Sequence, residues 1–82
     1  MNVMETYVIR ALWDGEAGVW VAQCDDVPGL VAEAATPAEL EAKLRTLVPE
    51  LLDLNLPARA KNRPAEIVAR FEYEARIGLA AA

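Results

Sequence analysis

Asp25-Asp26-Val27-Pro28-Gly29-Leu30-Val31-Ala32-Glu33-Ala34-Ala35-Thr36-Pro37-Ala38-Glu39 is the stretch whose reading decides the fold. Its first part is a tight turn. Pro28 presets φ for the first central position, and Gly29 can take the positive φ that the second position of a type II turn requires. Its last part is a helix start. Thr36 is a natural N-cap, Pro37 suits the first helical position, and Glu39 can reach back to the Thr36 amide as a capping box. Between them, residues 30–35 are long enough for one short strand.

Two strands precede this stretch. Residues 6–14 are rich in β-branched and aromatic side chains, with Tyr7, Ile9, Ala11 and Trp13 on one face and Val8, Arg10 and Leu12 on the other. Apolar groups on both faces imply that a helix covers one side and something else the other. Asp14-Gly15-Glu16-Ala17-Gly18 supplies the hairpin turn, with Asp-Gly its strongest signal. The second strand covers residues 19–24.

The helix is expected over residues 37–54. Leu40, Leu44, Leu47, Leu51 and Leu54 recur at helical spacing, and Val48 widens the stripe. Pro49 removes a hydrogen bond to the Arg45 carbonyl and costs about 3 kcal/mol inside a helix, so a kink or break is expected there. Asn55 is placed to end the helix in the left-handed region. A polar connection follows. Residues 66–77 then alternate strictly, with Ile67, Ala69, Phe71, Tyr73, Ala75 and Ile77 on one face and mostly charged residues on the other, so a long last strand is predicted. The fold class is α+β, one domain over residues 1–82, in the order β-β-β-α-β. An antiparallel, hairpin-based sheet with one kinked helix packed on it is expected.

Composition bounds the function. The chain has 82 residues, a net charge of −5 and 55% hydrophobic residues. Such a small domain buries only about 60–65% of its unfolded surface, so this apolar surplus implies burial against another copy or a partner. The acidic balance argues against general attraction to phosphate backbones. Up to Ala58 there are three bases and ten acids; from Arg59 onward there are five bases and three acids. Arg59, Lys61 and Arg63 are read as a solvated basic loop rather than a nucleic-acid contact. The first residues lack the features of a signal peptide, and no run is long enough to span a bilayer, so a cytoplasmic location is expected.

Catalytic chemistry finds little support. There is no histidine, hence no Ser-His or Cys-His couple. The lone Cys24 stands beside two carboxylates and reads as a small buried hydrophobe. Asp14, Asp25, Asp26 and Glu33 are carboxylates from which a two-metal site could be drawn, but Asp in turns is ordinary placement. No catalytic residue, cofactor or metal is expected. Trp13 and Trp20 flank the hairpin, and one is expected in the core and the other at an interface.

The Tyr7 strand, the Asp14-Gly15 hairpin, Asp26-Val27-Pro28-Gly29 and the Thr36-x-x-Glu39 helix start together resemble HicB-like antitoxin domains. Val48-Pro49-Glu50-Leu51-Leu52 is similar to a segment of a small branch of that group. The resemblance covers residues 6–55 well and the last strand by pattern. Asp25-Asp26 and Ala34-Ala35 depart from the Pro-Asp and Gly-Asp usual at those places. The resemblance implies a partial ribonuclease-H-like sheet with one helix, and a non-catalytic domain that masks a small basic toxin cleaving messenger RNA. Such antitoxins commonly add a DNA-binding module, which is not expected here, so no direct DNA binding is expected. Trp20, Asp25, Asp26, Glu33 and Glu39 are the expected partner contacts. Phe71 and Tyr73 are the expected self-association residues of a homo-oligomer. The alternative is a stand-alone homo-oligomeric structural or regulatory module.

Overall fold

The computed structural model describes residues 5–55 and 65–80. Within them the chain forms β1 (Glu5–Asp14), β2 (Val19–Gln23), β3 (Val31–Ala34), α1 (Pro37–Asn55) and β4 (Ala65–Glu72). The strands make one sheet in the order β3-β2-β1-β4. The β1–β2 and β2–β3 pairs are antiparallel, as expected of hairpin-like neighbours. β4, however, joins β1 in parallel, with Glu5 opposite Ala65 and Leu12 opposite Glu72. The sheet is therefore mixed rather than wholly antiparallel. A parallel neighbour needs a long crossover, and α1 lies in the chain between the edge strand β3 and the opposite edge strand β4.

Both turns around the second and third strands form by local hydrogen bonding. The Gly18 amide donates to the Asp14 carbonyl at 2.8 Å, and the Asp14 carboxylate accepts from the Glu16 and Ala17 amides at 3.1 and 3.2 Å. Gly18, at φ 69°, is the residue that needs left-handed backbone; Gly15 of the Asp-Gly pair does not. In the second turn the Leu30 amide donates to the Val27 carbonyl at 3.2 Å and Gly29 sits at φ 81°, as a type II Pro-Gly turn demands. This turn carries Val27 fully into the core.

α1 starts as its caps dictate. The Glu39 amide donates to Thr36 Oγ1 and the Leu40 amide to the Thr36 carbonyl, each at 3.1 Å. The helix runs unbroken through Pro49 to Asn55, so no separate second helix forms. Packing explains this: Leu44 and Val48 are buried before the proline, Leu51 and Leu52 are half-buried after it, and Pro49 itself is exposed. Both halves are held on the sheet, which outweighs one lost hydrogen bond. Asn55 does not adopt a positive φ; its side-chain amide instead donates to the Leu51 carbonyl at 2.8 Å. Leu54, counted with the apolar stripe, is 80% exposed.

The helix packs on β3 and β2. Beneath it Ala11, Ala22, Ala32 and Ala34 are buried, and register sets Ala22 opposite both Ala11 and Ala32. Small side chains on adjacent strands let a helix approach closely, which gives the high alanine content a packing role. Ile9, Val27, Leu40, Leu44 and Val48 supply the larger core groups.

β4 stops at Glu72, five residues short of the alternation that predicts it. The reason lies in its neighbour. β1 reaches its hairpin two residues beyond Leu12, so Tyr73 onward has no strand beside it. Residues 73–80 continue without regular structure. The basic cluster Arg59, Lys61 and Arg63 lies outside the described residues, as do the first four residues and the last two.

Candidate functional site

Register assigns every strand residue to one of two sheet faces. One is covered by α1. The other carries Val8, Arg10 and Leu12 of β1, Val21 and Gln23 of β2, Val31 and Glu33 of β3, and Glu66, Val68, Arg70 and Glu72 of β4. Nothing among the described residues packs over it. Val8 is 37% exposed, Leu12 40% and Val31 77%. Leu12 stands opposite Val21, and Val8 opposite Val68, with the polar row Gln23–Arg10–Arg70 between these two aliphatic pairs. Acidic groups surround them: Glu33 is exposed on β3, Glu66 and Glu72 on β4, and Asp25 and Asp26 at the corner after β2.

That corner borders a shallow depression in the open face, lined by Val8, Arg10, Leu12, Gln23, Cys24, Asp25 and Asp26. The structure thus brings Asp25 and Asp26 together with the aliphatic surface. Cys24 is half-buried and its thiol donates to the Val8 carbonyl at 3.2 Å, which fixes the corner against β1.

Arg10 and Glu72 form a two-pronged ion pair across β1 and β4, Nε to Oε1 at 3.2 Å and Nη2 to Oε2 at 3.1 Å. The hydrogen bonds and charge of Arg10, with a smaller contribution from Arg70, hold the Glu72 carboxyl below its ordinary range. Its folded value lies below its unfolded one, so the pair stabilises the fold above the unfolded glutamate value of about 4.3. That contribution disappears as pH falls through the lower, folded value. Both side chains are more than half exposed, so the effect is small. Wild type and Glu72→Gln are therefore expected to differ slightly in urea midpoint near neutral pH and to converge in acid. A gap that widens in acid contradicts this assignment.

The other residues singled out from the sequence are scattered over the fold. Trp20 is on the helix-covered face, half-buried, with its ring centroid 5.4 Å from Trp13 and 5.2 Å from Phe71 in an edge-to-face contact. Glu39 is exposed in the first turn of α1. Glu33 is on the open face, while Lys43 of α1 donates to its backbone carbonyl at 2.6 Å and so occupies an acceptor of the edge strand β3. Phe71 packs beneath Trp20, whereas Tyr73 is 69% exposed past the end of β4. Asp14, Asp25, Asp26 and Glu33 do not converge: register places Asp14 at the hairpin end of β1 and the Asp25-Asp26 corner beyond the opposite end of β2. Among the described residues no group of three carboxylates or thiols is gathered to hold a metal, and no helix is long and apolar enough to cross a membrane.

Sequence reasoning missed the open face as a unit. The Val8–Val68 contact depends on a parallel pairing between strands far apart in the chain, and only the mixed apolar pattern of β1 hinted at it.

Among the described residues, fold and surface together define a small α+β domain with a four-stranded mixed sheet, one helix and one uncovered sheet face. The chain belongs to the family described as Domain of unknown function (DUF1902), whose model matches residues 6–77. A solved structure similar to it is that of the hypothetical protein TTHA1013 from the extremely thermophilic bacterium Thermus thermophilus. The two are 48% identical over 92% of this chain and 100% of that one, with a TM-score of 0.67. No curated protein matches.

Proposed function

We propose that this protein is a non-catalytic, cytoplasmic protein-binding domain of the HicB-like antitoxin kind, which masks a small basic messenger-RNA-cleaving toxin with its open sheet face. The uncovered band of Val8, Leu12, Val21, Val31 and Val68 among acidic residues carries this reading. Single exposed aliphatic residues are normal, but several on one uncovered sheet face, interleaved with charged groups, mark an interaction surface. Its acidic rim suits a basic partner, since complementary charge speeds and orients the encounter. A sheet with one helix packed on it also agrees with the partial ribonuclease-H-like arrangement that the resemblance implies, and is a fold-level analogy only.

Affinity purification from the native host is expected to recover a stoichiometric small basic protein whose ribonuclease activity the domain suppresses. Against that partner, reversing Asp25 and Asp26 to Lys should slow association about tenfold or more at low salt. Both residues are exposed, so the circular dichroism spectrum should not change. Recovery of the bait alone under gentle conditions, or an unchanged on-rate, rejects the reading. A second reading, a stand-alone homo-oligomeric module, is favoured by the exposed residues beyond β4 and predicts a self-assembled protein with no bound toxin.

A further inference from the structure

The end of the described chain carries an anomaly. Residues 73–80 keep the alternation of β4 yet belong to no strand, and they expose Tyr73, Ile77 and Leu79 at 69, 78 and 89%. The radius of gyration is 16.2 Å and the longest dimension 63 Å, against about 12 Å expected for the radius of a compact chain of this length. β4 is an edge strand with no strand on its outer side among the described residues. Beside it, on the helix-covered face, a groove lined by Glu41, Leu44, Arg45, Ile67 and Ala69 lies between α1 and β4. An unpaired edge and an alternating segment, apolar on one side, thus adjoin in one chain at the same length, eight residues each.

We propose that the partner of both is a second copy of this chain. β4 and the arm 73–80 pair antiparallel with the same segment of that copy across a two-fold axis at Glu72, joining two four-stranded sheets into one of eight strands. Each arm lies along the other copy's β4. The equal lengths of strand and arm put the axis at their junction, Glu72, and the alternation of faces excludes odd slips. A one-residue slip would set apolar groups of one copy against charged groups of the other. With the axis at Glu72, Phe71 faces Tyr73, Ala69 faces Ala75, and Ile67 faces Ile77 on the helix side. There the arm completes the open wall of the groove. On the other, solvent-facing side Arg70 meets Glu74 and Val68 meets the aliphatic stem of Arg76. The two Glu72 carboxylates meet at the axis, each already engaged by its own Arg10. The interface is isologous and closes, so it ends at a dimer. It leaves the Val8–Leu12 surface uncovered and stands apart from the toxin-masking reading.

The test is sedimentation equilibrium of the full-length protein from micromolar to about 100 µM. Twice the chain mass is expected for wild type. Ile77→Lys should weaken the dimer roughly a hundredfold by burying charge opposite Ile67. Glu74→Arg sets like charges opposite each other twice and should weaken it about tenfold, and Arg70→Glu added to Glu74→Arg should restore it. Ile77, Glu74 and Arg70 are exposed in the single chain, so each variant should keep its folded spectrum. A wild-type monomer at about 100 µM, or a dimer indifferent to Ile77→Lys, overturns the proposal. Failure of the charge swap to rescue overturns the register. None of these outcomes depends on whether a toxin exists.

Discussion

Leu40→Ala is expected to lower the free energy of unfolding by about 2–5 kcal/mol. Leu54→Ala, on the same helix, should change it by less than about 0.5 kcal/mol. Leu40 is fully buried at the first turn of α1, directly after the Thr36 cap, and seats the helix on the alanine-lined strands. Truncating it leaves a void that those small side chains cannot fill, so the transfer loss and the cavity add. Leu54 is 80% exposed and leaves little behind. A domain of this size holds only about 5 kcal/mol in reserve, so the first variant should be partly unfolded at physiological temperature. Urea unfolding followed by circular dichroism gives both values. Equal effects would mean that the helix presents a different face to the sheet.

Trp20→Ala is expected to cost about 2–4 kcal/mol, somewhat less than loss of a fully buried tryptophan. Trp20 is the middle ring of the Trp13–Trp20–Phe71 group, with an edge-to-face partner on one side and a tilted one on the other. Such pairs contribute about 0.5–1.5 kcal/mol beyond the area they bury. The loss therefore falls on stability, and affinity for a partner at the open face should follow the folded fraction alone. Comparison of unfolding midpoint with partner affinity, corrected for that fraction, separates the two roles. Unchanged stability with abolished binding would return Trp20 to the interface.

The contrast between Trp20 and its neighbours marks where sequence reading stops. Residues close along the chain announced their structure through local chemistry. Pro28-Gly29 demanded its turn because few residues tolerate a φ of 81°, and Thr36 announced the helix because its hydroxyl meets an orphan amide one turn on. Those signals act over a single turn and hold whatever surrounds them. Pro49 and Asn55 show the weaker case. Each carries a real local preference, yet burial of Leu44 and Val48 before the proline and a side-chain bond from Asn55 gave different outcomes.

By itself, then, the sequence determined the order of the elements, the two glycine turns, the helix start and the alternation of faces, since each rests on backbone geometry or a contact within one turn. Only the tertiary structure decided that β4 runs parallel to β1, that it ends at Glu72, and that Val8, Leu12, Val21, Val31 and Val68 form one uncovered surface. Alternation tells which residues share a face but not which strand lies alongside or in which direction. Those choices are made by long-range packing, where small alanines let the helix settle over β2 and β3, with the other face of the sheet left uncovered among the described residues.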